Sequence, residues 1–86
     1  MQPLLDAAKN GEIERLRQLV DAKVDVNVKD DNGRTGIIWA VNGGHAECLQ
    51  LLIDAGTDLE AKNRYGDTAL ILAATDRDNV CVQLLV

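Results

Sequence analysis

Phenylalanine is missing from this 86-residue chain, and tryptophan and tyrosine occur once each. Alanine, leucine, isoleucine and valine must therefore build the interior, which suits thin helices packed closely. Positive charge is also scarce. Fourteen acidic residues stand against nine basic ones, a net charge of −5. Attraction to a nucleic-acid backbone or an anionic membrane needs a surplus of Lys and Arg at the contact. No Lys/Arg run supplies one, so neither is expected as a partner. No apolar run reaches the ~20 residues that cross a bilayer. The opening MQPLLDAAKNGE lacks the basic start and long apolar stretch of a secretory signal.

Chain length allows one small domain, and its organisation is written twice. GRTGIIWA at Gly33–Ala40 returns as GDTALILA at Gly66–Ala73, 33 residues later. The offset extends well beyond these letters: Ala7, Ala40 and Ala73 align, as do Leu19, Leu52 and Leu85. Leu16, Leu49 and Val82 form a third set, and Val20, Ile53 and Val86 a fourth. Within each unit the last three sets fall at i, i+3 and i+4, the spacing of one apolar helix face. A shorter helix precedes each, carrying Leu4 to Ala8, Ile37 to Val41 and Leu70 to Ala74.

The punctuation fits these helices. Thr35 and Thr68 stand one residue ahead of the first helix, where a hydroxyl can accept from an orphan amide. Gly11 and Gly44 fall at the reversal, a left-handed position that glycine fills cheaply. Asn32-Gly33 and Tyr65-Gly66 read as tight turns between units. Helices below ~12–15 residues are marginal alone, so only stacking of one unit on the next can bury these faces. A fixed period of this size predicts an all-α solenoid of stacked helix-turn-helix units with short hairpin-like turns between them.

The central unit, DDNGRTGIIWAVNGGHAECLQLLIDAGTDLEAK, resembles the ankyrin repeat at Asp30, Gly33, Thr35, Ala40, Gly44, His45, Glu47, Leu51, Leu52, Gly56 and Asp58. The opening segment, with Asp25, Val26 and Asn27, is similar to that family's N-terminal capping unit. The resemblance covers essentially the whole chain. It implies a single domain over residues 1–86: a capping repeat at 1–29, a full repeat at 30–62 and a truncated repeat at 63–86. Departures are local. Gly36-Ile37-Ile38 and Ala69-Leu70-Ile71 replace the family's Pro-Leu-His, removing a preset φ and an imidazole that is expected to bond to the neighbouring turn. Arg77 takes the slot of Gly44, so the third reversal is expected to be strained or differently shaped, with Asp76 and Asp78 available to cap the next helix. The pattern would continue past Val86. Val82, Leu85 and Val86 therefore imply an apolar end face, and the chain is expected to be a fragment of a longer array or to associate with itself there.

Candidates for chemistry are few. His45 is the only histidine, with no Ser or Cys in catalytic register. Cys48 and Cys81 match no zinc spacing, and His45 cannot complete a four-ligand set. Helices pack 8–10 Å apart, beyond the ~7 Å between Cα atoms that a disulfide tolerates. The two thiols are expected to be small core-edge residues in a reduced, intracellular setting, the cytoplasm. The aspartates lie at turns and helix starts, trace no calcium loop, and leave no constellation for an enzyme. No metal or cofactor is expected.

Recognition of another protein is what remains, and the resemblance implies a surface of turn tips and first helices. On it lie Asp31, Asn32, Arg34, Trp39, Asn42 and Gly43, then Arg64, Tyr65, Asp67, Thr75 and Asp76, flanked by Lys9, Asn10, Lys29 and Lys62. Trp39 is expected between Asp6 and Leu72 of the adjacent units, either packed over the turns or anchoring a partner. LVDAKVDVN resembles ankyrin segments that are hydroxylated at asparagine. Asn27 is otherwise expected to brace the turn with its side-chain amide. An alternative reading is a structural scaffold segment with no separate ligand.

Overall fold

A computed structural model describes residues 2–86, and the described residues form six helices and no strand. They run in pairs: α1 (Pro3–Asn10) with α2 (Ile13–Asp21), α3 (Gly36–Gly43) with α4 (Ala46–Asp54), and α5 (Ala69–Thr75) with α6 (Asn79–Leu85). Helix α3 packs between α1 and α5, and α4 between α2 and α6. The chain is an all-α repeat solenoid of two rows, the first helices in one and the second helices in the other.

Small residues set the spacing of the first row. Ala7, Ala40 and Ala73 are all fully buried, one per helix at the same register, so neighbouring backbones approach closely. Leu16, Cys48, Leu49, Leu52 and Cys81 supply the second row's share of the core. Gly36 belongs to this packing. A Cβ there would lie 3.0 Å from the Leu4 side chain and 3.1 Å from that of Leu52, so the missing side chain admits both leucines. That gain offsets glycine's cost at the first residue of α3, which is less than the roughly 1 kcal/mol by which it trails alanine inside a helix.

Burial is graded along the stack. Ile37 and Ile38 are completely covered, whereas their third-unit counterparts Leu70 and Ile71 are 38% and 45% exposed. Val82 and Leu85 are half-buried and Val86 is exposed.

The reversals between paired helices share one shape. Gly11 and Gly44 are left-handed, with φ of 71° and 69°. The next amide returns to the helix, Glu12 N–H donating to the Ala7 carbonyl at 2.9 Å and His45 N–H to that of Ala40 at 2.8 Å. Arg77 does not reshape the third reversal. It adopts φ of 56°, and Asp78 N–H donates to the Ala73 carbonyl at 3.0 Å. The strain is real and the geometry is conserved, because the bond back to Ala73 over-determines the turn. Replacing Arg77 by glycine should raise unfolding stability by about 0.5–1 kcal/mol, the left-handed penalty less glycine's entropy cost. Urea denaturation measures it, and a destabilised variant would count against the strain.

The caps divide. Thr68 Oγ1 accepts from Ile71 N–H at 3.3 Å, as the sequence predicts. Thr35 makes no cap bond, and its buried Oγ1 has no partner among the described residues. Ile38, in the slot that the repeat pattern gives to histidine, brings no polar atom to this turn. Of the two third-unit aspartates only Asp78 caps, accepting from Cys81 N–H at 3.1 Å. Asp76 ends α5 instead.

Candidate partner-binding surface

Two turns project from the first row, and an Asx residue organises each. Asp30 Oδ1 accepts from the amides of Asn32 (2.9 Å) and Arg34 (2.8 Å). Asn63 Oδ1 accepts from those of Tyr65 (2.9 Å) and Asp67 (3.0 Å). The tips are also tied to each other. Arg64 N–H donates to the Asn32 carbonyl and Arg64 Nη1 to Asn32 Oδ1, both at 2.8 Å. These bonds make the two tips one rigid edge rather than two free loops.

Behind that edge stands Trp39, half-buried on α3. Its Nε1–H donates to Asp30 Oδ2 at 3.1 Å. The Arg34 guanidinium carbon lies 4.5 Å from the ring centroid and Lys9 Nζ 5.0 Å. Cations over an indole are held by its quadrupole, so the ring orders two side chains from two units. Trp39 also walls a cavity of about 210 Å³ with Gln2, Leu5, Asp6, Lys9 and Asp30. On the second tip Tyr65 is 76% exposed, with the Arg64 guanidinium 5.5 Å from its ring.

The residues singled out in the sequence fall into two groups. Asn32, Arg34, Trp39, Arg64 and Tyr65 come together through these contacts, with exposed Asp31 and half-buried Asp67 on the same tips. Asn42, Thr75 and Asp76 lie exposed at the ends of α3 and α5, outside that cluster. Thr75 Oγ1 donates to the Ile71 carbonyl within its own helix. Gly43 serves packing: a Cβ there would meet the His45 ring at 2.5 Å. Lys9, Asn10, Lys29 and Lys62 are exposed around the edge.

Asp30 was readable as a pattern residue but not as the organiser of the site. The signal was an aspartate two residues ahead of an Asn-Gly pair, the sequence of an Asx turn. His45 was likewise more than a helix start. Its Nε2 lies 3.1 Å from the Lys9 carbonyl; a carbonyl only accepts, so Nε2 carries the proton and the ring fastens the second unit to the end of α1. Asn27 makes a similar tie, its Oδ1 accepting from Thr57 Oγ1 (3.0 Å) and Asp58 N–H (2.8 Å) in the next unit.

The thiols lie apart from this surface. Cys48 and Cys81 are free and fully buried, in the core rather than at its edge. Burial pushes the Cys81 thiol up to about 11, with the Asp78 carboxylate adding to it, and burial with Glu47 raises that of Cys48. Both are protonated at neutral pH, the state opposite to a nucleophile.

A sequence profile of ankyrin repeats, three copies, matches residues 4–86. The chain belongs to the ankyrin repeat family. The crystal structure of the human ASB11 ankyrin repeat domain superimposes with a TM-score of 0.91 at 29% identity, over 99% of this chain. The chain spans 38% of the length of that domain. No curated protein sequence matches it. Ankyrin repeats are in general protein–protein interaction modules, and the fold has no need of a reacting group to perform that role. No described helix is long and apolar enough to cross a membrane.

Proposed function

We propose that this ankyrin stack recognises another protein through its turn tips and first helices, and takes part in no catalysis of its own. The observation that carries this reading is Tyr65, a large aromatic side chain left 76% exposed on a tip that hydrogen bonds hold rigid. Binding energy at interfaces concentrates in a few aromatic and arginine anchors, and anchors fixed before binding lose little entropy. Asp31, Asn32, Arg34 and Trp39 extend the surface along the first tip and α3. Asn42, Gly43, Asp67, Thr75 and Asp76 form its rim. The free, buried thiols fit a reducing compartment, and we place the protein inside the cell, in the cytoplasm.

Tyr65→Ala is the clean test, because Trp39→Ala also removes the bond to Asp30. A partner captured from host lysate by the wild-type chain should bind the Tyr65→Ala variant at least about tenfold more weakly, about 1.4 kcal/mol. Circular dichroism should be unchanged. Equal affinity would remove this edge from the interface.

A second reading rests on the exposure of Leu70 and Ile71, whose counterparts are covered by a following unit. On it the protein extends an array, with a further unit or a second copy stacked against Leu70, Ile71, Val82, Leu85 and Val86. Sedimentation of a Leu85→Asp/Val86→Asp variant separates the two. Loss of self-association with retained partner binding supports recognition through the tips, and loss of all association supports the scaffold.

A further inference from the structure

We infer that the partner segment is an acidic peptide, lying extended along the tip edge with carboxylates on Arg34 and Arg64; this rests on the tip surface being the interface. The argument starts from how these two arginines are held. Arg34 stacks on Trp39, and its Nε is 3.8 Å from Asp30 Oδ2. Its two Nη groups have no hydrogen-bond partner among the described residues, and 30% of the side chain faces solvent. Arg64 spends one Nη on Asn32 and leaves the rest of its fork to water. Each guanidinium is immobilised while most of its N–H groups stay unspent. A planar fork fixed in this way matches a carboxylate in two parallel bonds and loses little freedom on binding it.

Charge placement agrees. Lys9, Lys29, Lys62 and Arg64 are exposed and have no carboxylate within ion-pair distance among the described residues. Arg15 and Arg17 on α2 are paired to Glu12 and Glu14, and Lys23 and Arg77 are unpaired among the described residues but stand apart from one another. Asp30, the carboxylate nearest Trp39, is consumed by two amides, the indole and Arg34. Glu12, Glu14, Asp21, Glu47, Asp54 and Asp78 lie on or at the start of the second-row helices, where such a ligand would meet carboxylates. Stacked helices lie about 8–10 Å apart, and extended chain advances about 3.3–3.6 Å per residue. Acidic side chains three residues apart therefore reach successive tips. Exposed Asp31 and half-buried Asp67 lie on the same tips and disfavour a further acidic residue beside them.

A fluorescein-labelled twelve-residue peptide with glutamate at every third position, glycine and serine elsewhere, is the probe, read by anisotropy. It should bind, weaken as salt rises, and lose at least about tenfold in affinity with Arg34→Gln/Arg64→Gln. Arg64→Lys, which keeps charge and loses the fork, should give a smaller loss. Arg15→Gln/Arg17→Gln should change nothing. Equal binding of the glutamine version, tighter binding of a lysine version, or indifference to the arginine pair overturns the inference. If any of these occurs while Tyr65→Ala still releases the captured partner, the tip surface stands and only its acidic ligand fails. Unfolding curves for each variant keep a binding loss from being mistaken for a folding loss.

Discussion

Leu52→Ala should lower the unfolding free energy by about 3–4 kcal/mol, within the range for deleting a buried leucine. Leu52 has no exposed surface, and its methyls stand within reach of the space beside Gly36. It is the central member of the set Leu19, Leu52 and Leu85, whose outer members are only half-buried. A chain of this size is stable by roughly 4–13 kcal/mol, so the loss is a large share of the total. The same truncation at Leu19 and at Leu85 should cost distinctly less, with Leu85 least, because fewer neighbours close over each. Urea denaturation of the three variants reads the gradient. Equal costs would mean that the units do not supply one another's interior, which is the premise of the stack.

Helix content and the repeat period were legible in the sequence because burial repeats at the same register in every unit. The tight reversals were legible for the same reason: glycine appears where φ must be positive. What the sequence left hidden was pairwise. Thr35 and Thr68 occupy the same slot, yet only Thr68 caps. Arg77 shows the converse, a poor residue forced into the family geometry by the bond behind it. At the candidate site the aromatic and arginine residues could be named from their positions on tips and first helices. Their mutual arrangement could not, since Lys9 reaches Trp39 and Arg64 reaches Asn32 from a neighbouring unit, and repeat position alone does not show that Arg34 folds over the indole of its own unit.

Gly11→Ala should cost about 2–3 kcal/mol, although the site is a turn and the change adds one methyl. Two terms contribute. Alanine at φ of 71° carries the left-handed penalty, roughly 1–2 kcal/mol. The new Cβ would also stand 2.6 Å from His45 Nδ1, so the ring must move and its bond to the Lys9 carbonyl is lost, about another 1 kcal/mol. Gly43 faces the same ring from the other unit, its added Cβ 2.5 Å from Nε2, but it lies in a helix and carries no left-handed penalty. The two glycines therefore separate the terms. In a His45→Ala background, Gly43→Ala should lose most of its cost, keeping only the close approach of its Cβ to the Lys9 carbonyl at 3.3 Å, while Gly11→Ala should keep its backbone cost of roughly 1–2 kcal/mol. A double-mutant cycle by denaturation gives both numbers. If Gly43→Ala remains costly without the imidazole, the ring is not what the glycines accommodate. If it is relieved, the one histidine of the chain is a rivet between the first two units, and the rigidity of the Lys9–Trp39 side of the tip surface depends on it.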